Sequence, residues 1–302
     1  MSMGEAIVDG TDGTARALAR VAEPFHAITY YSRELADLRA HGYRGWWHAY
    51  FGYRPAPMGA VSAGTVTAAF YNFAPAMVAR AVPGVWDIRT PAETTALRRD
   101  LVAAALQRIF RGTDAPEAAN ADAVAEAAEL IRAVGDCPVA GRPVFGGYAE
   151  LDWPTDPFEV IWHGCTLLRE HRGDSHNLAL AAAGVDGVEC HVLMAGRGHG
   201  NRPTITAIRG WTDDEWDAAV ERLAGRGWAD PAGALTELGH EARSDIEAHT
   251  DHLAGEPVRQ IGREGAERLT ELLRPLVDHL AAAGEVSGRW PPEHLLKPAD
   301  TP

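Results

Sequence analysis

Apolar positions recur along this chain at the spacing of helices, and residues 158–178 show the pattern most fully. Ile161, Cys165 and Leu168, with Val160 and Leu167 beside them, make one helical stripe. Asp156 suits the N-cap, Pro157 the first helical position, and Glu159 can close a capping box. The pattern breaks at Gly173, and Asp174 or Ser175 is placed to cap a second helix running to Gly184.

The rest of the chain reads the same way. After a loose start over residues 1–20, a helix is expected over 23–40 with Phe25, Ile28, Leu35 and Leu38 on its buried side. Residues 42–59 are unusually aromatic, which reads either as a core slab or as one wall of a pocket. Ser62 caps a helix carrying Val66, Phe70 and Phe73, and Pro75 is expected to interrupt or kink it. Helices follow over 91–111 and 116–134, and the proline- and glycine-rich stretch 136–155 reads as a loop and domain boundary. Residues 185–195 fit a short helix or a buried strand. The glycine-rich loop after them matches a dinucleotide fingerprint only in part, and Pro203 is expected to block the helix that such a loop would need. Thr212 and Glu215 form a capping box before Trp216, Val220 and Leu223; Gly227 ends that helix. A turn, Asp-Pro-Ala-Gly, separates Trp228 from Leu235, Thr236 opens a helix to about 253, and another spans 258–283 before an irregular tail.

The two halves echo each other. Pro24, Phe25, Ile28 and Leu35 recur in spacing as Pro157, Phe158, Ile161 and Leu168, and Ser62, Val66, Phe70 and Phe73 as Thr212, Trp216, Val220 and Leu223. Duplicated units, residues 1–145 and 146–302, would pack about a pseudo-twofold axis with a cleft between them.

The segment ERLAGRGWADPAGALTELGHEARSDIE resembles the recognition helix, wing and following helix of MarR-type regulators. Through RGWWHAYFGYRPAPMG, FYNFAPAMVARAVP, WHGCTLLREHRGDSH and RGWTDDEW, most of the chain is similar to an actinobacterial family of about this length labelled helix-turn-helix or winged-helix. The resemblance implies a mostly α fold of two degenerate MarR-like winged-helix units packed as a pseudo-twofold repeat. It implies no reaction.

Charge changes that picture. The 302 residues carry a formal net charge of −14, which disfavours nucleic acid and anionic membranes as partners. The helix expected to read DNA holds Asp213, Asp214, Glu215, Asp217 and Glu221 against Arg222, and its counterpart after Ser62 holds no charge. DNA binding is therefore expected to have been lost, with a MarR-like transcriptional regulator as the alternative and a partner-binding protein without a pocket as a third reading. No apolar run is long enough to span a bilayer, no signal peptide is visible, and three separated cysteines suit a reduced, cytoplasmic protein. Nothing in the sequence sets the oligomeric state.

The densest chemistry is REHRGDSH. Arg169 and Arg172 can clamp an anionic group on a small organic ligand, with His171, Asp174 and His176 as acid–base residues. His163, Trp46, Trp47, Tyr50, Tyr71 and Asn72 are the remaining candidates for the ligand's surroundings. Ordinary salt bridges at a solvated corner are the bland alternative. The cofactor stays open. A Zn²⁺ or Fe²⁺ ion on His171, His176 and a carboxylate, a second metal site on Asp245, His249 and His252, haem held by a histidine, and no metal at all are each compatible with the sequence.

Overall fold

The computed structural model describes residues 11–35, 40–112 and 120–286. Residues 1–10 of the expected loose start, Leu38, residues 113–119 and the tail from 287 lie outside them. The described chain is mostly helical, and its one extended pairing is an antiparallel bridge between Ala229 and Leu235.

The chain divides into two compact units, each assembled from separated stretches. The first holds Met1–Ala36, Arg99–Ser175 and Ala248–Ser287; the second holds Asp37–Arg98, His176–Glu247 and Gly288–Pro302. The 145/146 position lies inside the first unit. Three helices, α6 (Pro91–Arg111), α9 (Pro157–Ala182) and α13 (Glu237–Leu253), give one end to each unit.

In the first unit α1 (Thr11–Tyr31) and α7 (Ala121–Ile131) both pack on α15 (Arg263–Ala282). Phe25 stacks on Phe110 and Phe110 on Phe158, with centroids 5.6 and 4.9 Å apart. The helix expected to begin at 23 begins instead at Thr11 and runs through Pro24. Leu18, Ala22, Phe25 and Ile28 continue one buried stripe across the proline, so packing against α15 outweighs the bond that Pro24 cannot donate. The helix expected over 258–283 is two, α14 (Glu256–Ile261) and α15, parted at Gly262.

In the second unit α2 (Trp46–Tyr53) precedes α3 (Ala63–Phe70), whose N-cap Ser62 accepts the Thr65 N–H at 3.2 Å. The helix expected to be interrupted or kinked at Pro75 is interrupted, with α3 ending at Phe70. Pro75 opens α4 (Pro75–Ala79), at a position where its missing N–H is no loss. The short α5 (Val85–Ile88) leads to α6. Residues 185–195 lead into α10 (Glu189–Gly196). Pro203 lies in the first turn of α11 (Arg202–Arg209), capped by Asn201, and so starts the helix it was expected to block. α12 (Asp213–Gly225) carries the expected Thr212–Glu215 capping box. A tight hairpin over 229–235 follows, and Thr236 caps α13 through the Gly239 N–H at 3.1 Å.

Candidate functional site

α9 carries most of the predicted chemistry, and it corrects the local expectation: the chain does not break at Gly173 but continues as one helix to Ala182. A mid-helix glycine costs only about 1 kcal/mol, and His171, Asp174, Ser175, Ala179 and Leu180 are all buried around it. Asp174 is a capping residue, but of another helix. Its Oδ2 accepts the backbone N–H groups of Val144 and Phe145 at 3.0 and 2.9 Å. These are the first free donors of α8 (Pro143–Ala149), a helix within the stretch 136–155 that the sequence marks as a loop.

His171 lies on the same face of α9, three residues before Asp174. Its ring meets Phe145 of α8 edge-on, with centroids 5.0 Å apart at 90°. It is 0% exposed, and neither ring nitrogen has a hydrogen-bond partner among the described residues. Burial, then the positive charge of Arg142, pushes its pKa down to about 3 despite Glu256. The ring is therefore neutral near pH 7, a poor proton acceptor but both a donor and an acceptor of hydrogen bonds.

Stability should follow. Between the ordinary value of 6.5 and about 3, the unfolded chain holds a proton at His171 that the folded chain does not. Stability is thus lost as pH falls through that window, by about 2 kcal/mol at pH 5. Thermal melts of His171→Phe should decline less from pH 7 to pH 5 than those of the native chain; parallel declines would contradict the buried, neutral ring.

The other candidates divide between the units. In the first, His163 is buried with its ring 4.8 Å from Trp153. Arg169 pairs with the buried Glu170 at 2.8 Å, and Arg172 with the buried Asp251 at 2.7 Å, which also pairs with Arg16. Both arginines thus already meet protein carboxylates. His176 belongs to the second unit, with Nδ1 4.0 Å from Glu247. It is five residues beyond His171 on a continuous helix, about 140° around the axis, so the two rings do not converge. Among the described residues no group of three or more His, Cys, Asp or Glu side chains is arranged to hold a metal ion.

The aromatic candidates gather in the second unit. Trp46 stacks on Tyr50 at 5.2 Å, Trp47 meets Phe73 at 5.7 Å, and Tyr50 meets Phe70 at 5.9 Å. Arg54 covers the Phe70 ring at 4.1 Å and Arg209 covers Phe73 at 4.3 Å. Beside this cluster the chain turns sharply between α3 and α4. Tyr71 has φ 59° and ψ −55°, and the Asn72 N–H reaches Phe70 O at 2.6 Å, a strained γ-turn.

Long-range partners impose that turn. Tyr71 donates its hydroxyl to Val185 O at 2.6 Å, and Asn177 donates to Ala69 O at 2.9 Å. The Asn72 carbonyl accepts from His191 at 2.9 Å and from the Trp211 indole at 3.1 Å. Position 187 must be glycine, because a Cβ there would overlap the Tyr71 carbonyl. His191 and Trp211 were not among the sequence candidates. A lone histidine in the apolar run after Val188 was the available signal.

The exposed side of α12 is acidic. Asp213, Asp214, Glu215, Asp217 and Glu221 face solvent. Arg202 is bonded to Asp213 and Asp217 at 2.9 and 2.6 Å, and Arg222 to Glu189 and Asp186 at 2.8 and 2.7 Å.

No helix among the described residues is long and apolar enough to cross a membrane. No curated protein and no solved structure matches the chain. Residues 15–287 match the model of a helix-turn-helix family, and the chain belongs to that family.

Proposed function

We propose that this chain binds a small organic ligand, that His171 takes part in recognising it, and that α12 no longer reads DNA. One observation carries the ligand reading: a fully buried, neutral imidazole with two unpartnered ring nitrogens. Buried polar atoms are nearly always bonded, and each that is not costs about 1–3 kcal/mol. A molecule offering both a hydrogen-bond acceptor and a donor would satisfy the ring. Acid–base catalysis is the lesser role for His171, since a base whose pKa is about 3 takes up protons poorly at neutral pH. Asp174 serves by holding α8, and with it Phe145, against His171. The second unit is proposed to be a degenerate MarR-like winged helix, with α11 and α12 as the helix-turn-helix and residues 229–235 as the wing.

The surface of α12 supports the loss of DNA binding. A recognition helix presents donors to phosphates and base edges, whereas here Arg222 of α12 and Arg202 beside it are bonded to carboxylates. Electrophoretic shift assays with duplex DNA at physiological salt should show no complex. Membership in a helix-turn-helix family favours the second reading, a transcriptional regulator. A salt-sensitive complex lost on changing α12 would establish that reading and overturn the loss of DNA binding.

A further inference from the structure

We infer a second ligand site, within the second unit, in which His191 Nδ1 accepts a hydrogen bond from a hydroxyl or amide N–H of a small uncharged molecule at the Tyr71 turn. It uses none of the residues around His171 and stands or falls separately.

The tautomer follows from the partner. His191 Nε2 lies 2.9 Å from the Asn72 carbonyl oxygen, which can only accept, so Nε2 carries the hydrogen. Burial, then the nearby Arg209, holds the ring neutral with its pKa pushed down to about 3. A neutral imidazole has one hydrogen, so Nδ1 is a bare lone pair. His191 is 2% exposed, and Nδ1 has no hydrogen-bond partner among the described residues.

Three donors of the same region are engaged elsewhere. The Cys190 thiol bonds Gly187 O at 3.2 Å, the Trp211 indole bonds Asn72 O, and the Tyr71 hydroxyl bonds Val185 O. None of these reaches Nδ1, which is left without a partner among the described residues, and the inferred donor belongs to a bound molecule. Turning the ring over would bring Cε1 to the Asn72 carbonyl, and the other tautomer would bring a lone pair there; either loses that bond. The positive charge of Arg209 disfavours an ammonium donor, which leaves hydroxyl and amide groups. Asn72 on the turn is partly exposed, and Trp47, also partly exposed, meets the buried Phe73 edge-on with centroids 5.7 Å apart. The turn costs energy, and residues held in such conformations by their surroundings concentrate at ligand sites. Asn72 O also holds Trp211, in the segment joining α11 to α12, so occupancy should be felt there.

The test is a long-range ¹H–¹⁵N spectrum of the histidine rings in the labelled full chain, with His191→Gln to assign the signal. Benzyl alcohol and toluene, alike in shape but with and without a donor, are the probes. The ligand-free protein should show His191 with Nε2 protonated and Nδ1 bare. Benzyl alcohol should shift Nδ1 saturably toward hydrogen-bonded values and move the Trp211 indole N–H; toluene should leave Nδ1 in place. A protonated Nδ1, an Nδ1 already hydrogen-bonded before any probe is added, no response to either probe, or equal responses to both would overturn the site.

Discussion

Replacing Asp174 by alanine is expected to destabilise the protein by about 3 kcal/mol, because two buried donors of α8 lose their acceptor at once and each such loss costs about 1–3 kcal/mol. The donors are the Val144 and Phe145 N–H groups, which Pro143 ahead of them cannot replace with one of its own. Without the carboxylate, the seven residues of α8 have no cap, since Arg142 supplies no side-chain bond to them. The melt should fall by several degrees, and the Val144 and Phe145 amides should lose protection from hydrogen exchange. Asp174→Asn keeps an oxygen acceptor and should lose about half as much. An alanine variant that melts like the native chain, with both amides still protected, would remove Asp174 from the account as a cap.

A comparable loss, about 3 kcal/mol, is expected for Gly239→Ala, from overpacking together with lost backbone bonds at the hairpin. Helix propensity alone predicts the opposite sign, a gain of up to about 1 kcal/mol for an alanine in α13. The added Cβ would overlap the Trp228 carbonyl oxygen, which accepts the Thr236 N–H at 3.1 Å. Either the first turn of α13 or the hairpin would have to move, opening the Ala229–Leu235 bridge. Leu238→Ala, at an exposed neighbour, serves as the control and should be nearly neutral. A Gly239→Ala protein at least as stable as the native chain would show that α13 and the hairpin are not held this closely.

The sequence stated some of this openly. Ser62, and Thr212 with Glu215, could be read as caps because a cap bonds a residue three positions along, and both stand where expected. The spacing echo between the halves has such caps at its second pair, but its first pair differs: Pro24 is inside α1, whereas Pro157 opens α9. Asp174 shows where local reading stops. Its capping chemistry was visible, but the helix it caps lies about 30 residues earlier, and no nearby signal could name it. Gly173 reads as a break, and residue 23 as the start of a helix, because local propensity is the only term the sequence offers; the burial on either side of Gly173 and Pro24 decides otherwise. The aromatic run near Trp46 announced a cluster but not its cover, because Arg209 reaches Phe73 from a distant part of the chain. His191 finds Asn72 across 119 residues, and only the fold reveals that its tautomer is set.

The most direct test of the central claim asks whether His171 receives a small molecule. The native chain and His171→Phe, both folded, would be equilibrated with a mixture of small amides, alcohols and hydroxy acids and then analysed by native mass spectrometry. The account predicts that the native chain retains a component of that mixture and the variant does not. Retention of the same component by both proteins, or by neither, would contradict it.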